Sequence, residues 1–395
     1  MIREITRATI WNGRKTGKTW FHPRATRLPD GSVLMNCQDI TGFDSFGPGF
    51  WSKTTDNGIS WSEPQPVTAF GRIDIGNGFE EGACDFVPEY HAPTGKVLSI
   101  GDSAFYKKSK GTAHKGYNSP YTDPPEGFAA RHPVYCVRDG EGNWSERREL
   151  EWDDPRASRC NLCGCAQRVT LDNGDVMLPV YFASKEGVQP ADHRHECSAT
   201  TLRCSFDGET LQVKGAGREL RLPSPDGFME PSITRYKGTF YLTLRTWKHD
   251  LGYVSISSDG LSWNDIVPWK FDDGTTVDLS PTQQRWLTHS DGLFLVYTRK
   301  TEYNHNVFWW RAPLFVAQVN TENMSLIRGT EKIVFPIDGD GMAEDNKVAC
   351  MGNFHVTNVS AQESWVTVGE GRRHDLTHGD TLLARIQWEK PNRLV

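Results

Sequence analysis

The chain has no long apolar run, no basic surplus and no even set of cysteines. Among 395 residues, 44 Lys and Arg stand against 50 Asp and Glu, a formal charge of −6. Nucleic acid is therefore not an expected partner, because a protein that neutralises phosphates carries a basic footprint. Apolar stretches such as Ala312 to Val319 are broken by Pro or Gln. They fall far short of the roughly 20 residues a helical membrane span needs, so no membrane partner is expected. The opening Met1-Ile2-Arg3-Glu4-Ile5 has no basic stretch followed by an apolar one and does not read as a signal peptide. The expected location is cytoplasmic, or secreted or periplasmic if a leader has been removed. Nine cysteines argue against a complete disulfide framework and for a reducing compartment. What is abundant is aromatic surface, 14 Trp, 11 Tyr and 19 Phe, punctuated by 37 Gly and 22 Pro. That much buriable surface excludes a disordered chain.

One pattern recurs along the sequence: a mixed strand, a two-residue turn, then an apolar strand. It surrounds Asp30-Gly31, Thr94-Gly95, Asn173-Gly174, Lys237-Gly238, Asp291-Gly292 and Ala361-Gln362, at intervals of 54 to 79 residues. Asp-Gly and Asn-Gly between β-rich runs are strong hairpin signals. Each interval holds one four-stranded sheet plus loops. A ring of such sheets is an all-β propeller, in which radial repetition leaves only short, protected edges. The whole chain, residues 1–395, is read as one such domain. The strand near Thr6 to Trp11 is expected to pair with the last one, near Leu382 to Trp388, and so close the ring. Long inserts at Ser103 to Arg131 and Lys185 to His195 would lie over one face.

A second signature marks the outer half of several units. Thr54-Thr55-Asp56-Asn57-Gly58-Ile59-Ser60-Trp61 matches the Asp-box pattern S/T-x-D-x-G-x-T/S-W. Ser257-Ser258-Asp259-Gly260-Leu261-Ser262-Trp263 is one residue shorter, and Ser205-Phe206-Asp207-Gly208-Glu209-Thr210-Leu211 is degenerate. The Asp closes the turn through backbone hydrogen bonds, the Gly takes a positive φ and the Trp packs between sheets. These residues are structural.

The innermost strand of each unit should line the central channel, with side chains alternating in direction. Counting back from each turn places His22, Arg24, Gln167, Gln283, Arg285, Asn353 and His355 on one face, and Glu89, Arg168, Glu230 and Trp286 on the other. Arginines at such positions are costly to bury without an acid partner. Arg24, Arg168, Arg245 and Arg285 together favour an anionic ligand, held through bidentate contacts. The cysteines of Cys160-x-x-Cys163-x-Cys165, followed by His193-x-His195-x-Cys197, are ligand types zinc accepts. Their spacing lies along a strand rather than around a zinc knuckle, so small buried thiols are the preferred reading and no metal is assigned. No cofactor is required, although a structural cation could plug the channel.

The Asp boxes and hairpins resemble the sialidase-type (BNR) propellers. Where those enzymes open on Arg-Ile-Pro, this chain has Phe21-His22-Pro23. The stretches WFHPRATRLPDG, SFGPGFWSKTTDNGISW, GACDFVPEYH, CNLCGCAQRVTLDNGDV, FMEPSITRYKG, TQQRWLTHSDGLFLVYTRK and MGNFHVTNVSAQESWVTVGE look closest to another group. These are the propellers that cleave L-rhamnose linked α-1,4 to D-glucuronate: glycoside hydrolase family 145 and related lyases. The resemblance implies seven blades, against the six hairpins that can be counted. It also implies that a histidine of the first inner strand, here His22, is the key acid/base.

The expected function is thus a carbohydrate-active enzyme cleaving a uronate-linked bond in an acidic oligosaccharide or polysaccharide, as a monomer or small homo-oligomer. The candidate catalytic residues are His22, His355 and Glu230. The candidate substrate-binding residues are Arg24, Arg168, Arg285, Gln167, Gln283 and Asn353. In an elimination, Arg24 or Arg285 would neutralise the uronate carboxylate while a histidine moves the proton. The alternatives are an exo-sialidase-like glycosidase and a non-catalytic glycan-binding propeller, with Trp247, Trp286, Trp309 and Trp310 as stacking surfaces.

Overall fold

The computed structural model describes residues 1–42, 45–108, 127–184, 197–222, 227–246, 251–344 and 347–395. His193, His195, Trp247 and most of the two long inserts lie outside these residues. Six antiparallel sheets form six blades. Their innermost strands are Trp20–Arg27, Phe79–His91, Cys160–Leu162 with Val169–Thr170, Phe228–Tyr236, Arg285–His289 and Phe354–Ser360. The hairpin count and the structure therefore agree on six, and the described residues contain no seventh blade.

Ring closure is a matter of strand pairing. Ile2–Trp11 runs antiparallel to Thr381–Trp388, with Thr6 opposite Arg385 and Ala8 opposite Leu383. The sixth blade thus takes its outer strand from the start of the chain and its other three from the end. The hairpins turn where Gly permits. Gly31, Gly95, Gly174 and Gly238 all have φ between 69° and 87°, a region closed to most side chains. No helix is long and apolar enough to cross a membrane among the described residues.

The core is distributed between blades rather than gathered at one centre. Leu98, Ile100 and Tyr135 of the second blade pack on Val176, Leu178 and Val180 of the third. Leu287, Phe294 and Val296 of the fifth blade meet Val366, Val368 and Ile386 of the sixth in the same way. Trp269, Trp286 and Trp365 are wholly buried in such seams, and each removes a large apolar surface from water.

The Asp boxes close their turns as the pattern requires. Asp56 accepts the backbone N–H groups of Ile59 and Ser60 at 3.1 and 2.9 Å, and Asp259 accepts those of Leu261 and Ser262 at 2.8 and 2.6 Å. Trp263 reaches the neighbouring blade, where its indole N–H donates to Thr201 at 3.2 Å.

All nine cysteines are buried, and none is in a disulfide. Cys163 puts its thiol 3.2 Å from Asp102.

Strict alternation along the inner strands does not survive. An inner strand is the edge of its sheet, save where Ile73–Gly76 pairs with the start of Phe79–His91, so its two faces point into the seams on either side and residues of both parities border the axis. Phe86 stacks on Phe70 at 4.3 Å inside a seam, and Trp286 is buried in another.

Candidate active site

Inner strands all begin at one mouth of the channel and end, at their hairpins, at the other. Near the beginning, three of them carry the same defect. In the first blade, Phe21 pairs with Gln38 but Arg24 with Asn36. In the second, Cys84 pairs with Asp102 but Val87 with Ile100, and in the fourth Met229 pairs with Arg245 but Ser232 with Thr243. Each inner strand holds one residue more than its partner, which is a β-bulge.

The first residue of each bulge is left-handed: His22 at φ 50°, Asp85 at φ 58° and Glu230 at φ 42°. The third blade has Gly164 in the corresponding place, at φ 55°. A non-glycine residue held there costs on the order of 1 kcal/mol or more, and such strain collects at functional sites. Here it turns His22, Asp85 and Glu230 out of the pleat toward one another. The residue paired just before each bulge supports a kink. Gln38 holds His22, Arg245 holds Glu230, and Asp102 reaches into the third blade to accept the N–H groups of Cys163 and Gly164 at 2.9 and 2.7 Å.

The protonation of His22 follows from its neighbours. Gln38 donates its amide N–H to the carbonyls of Gly47 and Ala83, at 3.1 and 2.8 Å. Its Oε1 must therefore be the atom facing His22 Nδ1, at 3.1 Å, and Nδ1 carries the proton. Burial, reinforced by the Arg24 charge, pushes the imidazole down to about 4, so it is neutral near pH 7. Nε2 then presents a lone pair. It is buried without a hydrogen-bond partner and lies 3.6 Å from Asp85 Oδ1. Phe21 and Phe46 flank the ring at 4.6 and 4.7 Å.

Asp85 is ionised. Burial works to raise its carboxyl, but the positive charge of Arg24, with Arg131 behind it, outweighs that and holds it below the ordinary carboxylate range. Arg24 donates to Asp85 Oδ1 at 2.8 Å. Two acceptors, Nε2 and Oδ1, thus face each other with no proton between them. Glu230, bound by Arg245 Nε at 2.6 Å, contributes to the electrostatics at His22. The side chains of Asp85 and Glu230 are 20% and 18% exposed, whereas His22, Arg24 and Arg245 behind them are at most 4% exposed. A ligand entering this mouth meets the two carboxylates first.

Behind Asp85, Asp102 is pushed up to about 6, chiefly by burial. The neighbouring Arg131 donates to the Ser103 carbonyl at 2.8 Å.

The remaining expected site residues lie deeper. Arg285 is wholly buried and donates Nη2 to the Cys165 carbonyl. Gln283 donates to the Phe354 carbonyl of the next blade. Gln167 both donates to the Trp286 carbonyl, at 3.0 Å, and accepts from its N–H, at 2.8 Å, which ties two blades together. His355 donates Nε2–H to the Ala25 carbonyl at 3.0 Å, and burial holds it neutral. Arg168 pairs with Glu89 at 3.0 Å and donates to the carbonyls of Val87 and Leu98. His355, Arg168 and Gln167 line a cavity of ≈180 Å³ with Thr26, Glu89 and Asn358, toward the hairpin end. Asn353 is half-buried just before Phe354–Ser360. The structure brings His22, Glu230 and Arg24 together at one mouth and places Gln167, Arg168 and His355 below them.

Asp85, Gln38, Arg245 and Asp102 complete the upper site. Asp85 escapes an alternation argument because the bulge before Val87 shifts the parity. The available signal is the repeated X-Pro step at His22-Pro23 and Glu230-Pro231, which disfavours regular helical geometry at X and accompanies the kink here.

No protein-family model and no curated protein sequence matches the chain. Solved structures do. A Hadza microbial sialidase superposes with a TM-score of 0.66 at 13% identity, covering 97% of this chain and 69% of that one. Trypanosoma rangeli sialidase in complex with the inhibitor DANA gives 0.64 at 15% identity, over 98% and 60%. A protein of unknown function from Dyadobacter fermentans gives 0.66 at 14%, over 98% and 100%. The chain thus spans about two thirds of the first sialidase and less of the second. The fold is that of the sialidase-type propellers.

Proposed function

We propose that this propeller is a carbohydrate-active enzyme that cleaves a uronate-linked glycosidic bond, of the L-rhamnose-α-1,4-D-glucuronate kind, at the mouth formed by His22, Asp85 and Glu230. One observation carries the reading: three strained, equivalent bulges deliver these side chains to one place and leave His22 Nε2 without a partner opposite an ionised carboxylate. A neutral imidazole with an unpartnered nitrogen beside a partly exposed carboxylate has the groups that general base chemistry uses.

In an elimination, Asp85, the more exposed of the pair, takes the proton beside the uronate carboxylate. His22 Nε2 shares that proton across the 3.6 Å gap. The electrons of the broken C–H bond form the C4–C5 double bond, the bond from C4 to the glycosidic oxygen breaks with its electron pair on that oxygen, and the His22–Asp85 pair returns the proton to it as rhamnose leaves. Arg24, behind Asp85, and Arg245, behind Glu230, supply positive charge against the uronate carboxylate. In hydrolysis the same pair would instead deprotonate the attacking water, with Glu230 as the group facing the leaving oxygen. His355, Arg168, Arg285, Gln167, Gln283 and Asn353 act in this reading as the lower wall that keeps the site in shape.

The fold likeness to sialidases keeps one rival, an exo-sialidase-like glycosidase, whose substrate also carries a carboxylate. The test incubates the protein separately with a rhamnose-capped glucuronate oligosaccharide and a sialylated one. Release of rhamnose with the ultraviolet absorbance of an unsaturated uronate marks elimination, and rhamnose without it marks hydrolysis. Free sialic acid would replace this proposal with the rival, and binding without any product would make the protein a glycan-binding propeller.

A further inference from the structure

The third blade departs from the blades on either side of it. Its inner strand is paired at Cys160–Leu162 and again at Val169–Thr170, and residues 163–168 between them belong to no strand. Buried backbone N–H groups in such a gap must find an acceptor elsewhere. Asp102, on the strand Lys96–Lys107 of the second blade, supplies it. Its Oδ1 accepts the N–H of Cys163 at 2.9 Å and the thiol at 3.2 Å, and its Oδ2 accepts the N–H of Gly164 at 2.7 Å. Successive N–H groups of a regular strand point opposite ways. Here the left-handed Gly164 lets two of them converge on one carboxylate.

Gly164 also borders the site. A Cβ on it would stand 3.1 Å from Glu230 Cγ and 3.8 Å from Glu230 Cα, so its bare backbone lies against Glu230. Arg245 Nε fixes the Glu230 carboxylate at 2.6 Å, and the turn at Gly164 fixes the stem. Asp102 meanwhile pairs across its sheet with Cys84, the residue before Asp85. One carboxylate therefore joins the strand that carries Asp85 to the turn that seats Glu230. Asp102 is itself 1% exposed, behind the mouth and out of reach of a ligand.

We propose that Asp102 is a positioning residue: through Gly164 it sets where Glu230 stands opposite Asp85. The proposal rests on the reading that Glu230 acts at the upper mouth. A protonated carboxyl still offers an oxygen to each N–H, whereas an amide turns one acceptor into a donor. Asp102→Asn is thus the informative change.

A double-mutant cycle separates positioning from general support of the fold. With Tm recorded and rates referred to the folded fraction, Asp102→Asn is expected to lower kcat/KM on the rhamnosyl-glucuronate substrate about tenfold or more. In a Glu230→Gln background the same change is expected to cost about twofold or less, since the group it places is gone. Equal losses in both backgrounds, or no loss in the natural one, would overturn the proposal. Should the natural chain not turn over that substrate, the reading of the mouth fails, and crystals of Asp102→Asn decide this point separately. A Glu230 carboxylate displaced from Arg245 supports the positioning role, and an unmoved one overturns it. If Asp102→Asn does not fold, Asp102→Glu, which keeps the charge and shifts both oxygens, takes its place in the same cycle.

Discussion

Asp85 and Asp259 are the same residue type on the same kind of scaffold, and their surroundings differ in one respect. Asp259 spends its carboxylate inside its own turn, on the N–H groups of Leu261 and Ser262 and the hydroxyls of Ser257 and Ser262. These bonds hold its carboxyl far below the ordinary range, and nothing nearby is left wanting. Asp85 takes one guanidinium bond from another blade and faces an imidazole nitrogen that has no proton to offer. Saturation marks a group that holds the fold, whereas an unfilled, strained and partly exposed arrangement marks one that meets a ligand.

The comparison can be broken most forcefully at the upper mouth. Glu230→Gln is expected to lower kcat/KM on the rhamnosyl-glucuronate substrate by about 100-fold or more, with Tm little changed because the amide still accepts from Arg245. A variant of full activity would remove Glu230 from the site. His22→Gln should produce a loss of similar size.

At the periphery the expectation reverses. Trp263→Ala removes a side chain that is 2% exposed and seals two blades, so it should destabilise by about 3–5 kcal/mol and leave the activity of the folded fraction unchanged. An activity loss beyond the unfolded fraction would show that the Asp-box periphery reaches the site.

Acid should act on the same distinction. His22 is kept neutral down to about pH 4 in the fold, whereas an unfolded chain protonates histidine near its ordinary value of about 6.5. The unfolded state therefore binds that proton first, and the contribution of His22, with that of His355, should fall as pH drops from about 6.5 toward 4, while Asp102, which binds its proton first in the fold, works the other way; His22→Gln should remove the His22 part of the slope. Activity per folded molecule should fall only as pH approaches 4, when Nε2 is occupied. A pH–rate profile with its acid limb near 6.5 would contradict the neutral, buried imidazole.

The smallest change is Gly164→Ala. Its left-handed φ of 55° and a Cβ 3.1 Å from Glu230 Cγ predict a nudge to Glu230. The expected cost is about tenfold or less in kcat/KM, consistent with displacing rather than removing a group. An unchanged rate would mean that Glu230 tolerates the shift.

Much of the architecture was legible because turn chemistry is local. Asp30-Gly31, Asn173-Gly174 and Lys237-Gly238 announce their hairpins, and Gly58 and Gly260 announce their boxes, without reference to anything distant. His22 stood out for the same reason, in Phe21-His22-Pro23. Asp85 did not, because its role depends on a bulge that changes parity and on Arg24, 61 residues away in sequence. Gln167 misled for a related reason. A polar residue on an inner strand looks like a ligand group, yet its bonds to Trp286 are what join two blades.

The most direct test measures kcat/KM and product for Asp85→Asn against the natural chain on a rhamnosyl-glucuronate disaccharide, with Tm recorded alongside. A folded variant with activity reduced about 100-fold or more, and no change in the product of its residual turnover, is the result expected if the His22–Asp85 pair takes the proton. A folded Asp85→Asn enzyme that turns over at the natural rate would contradict the account.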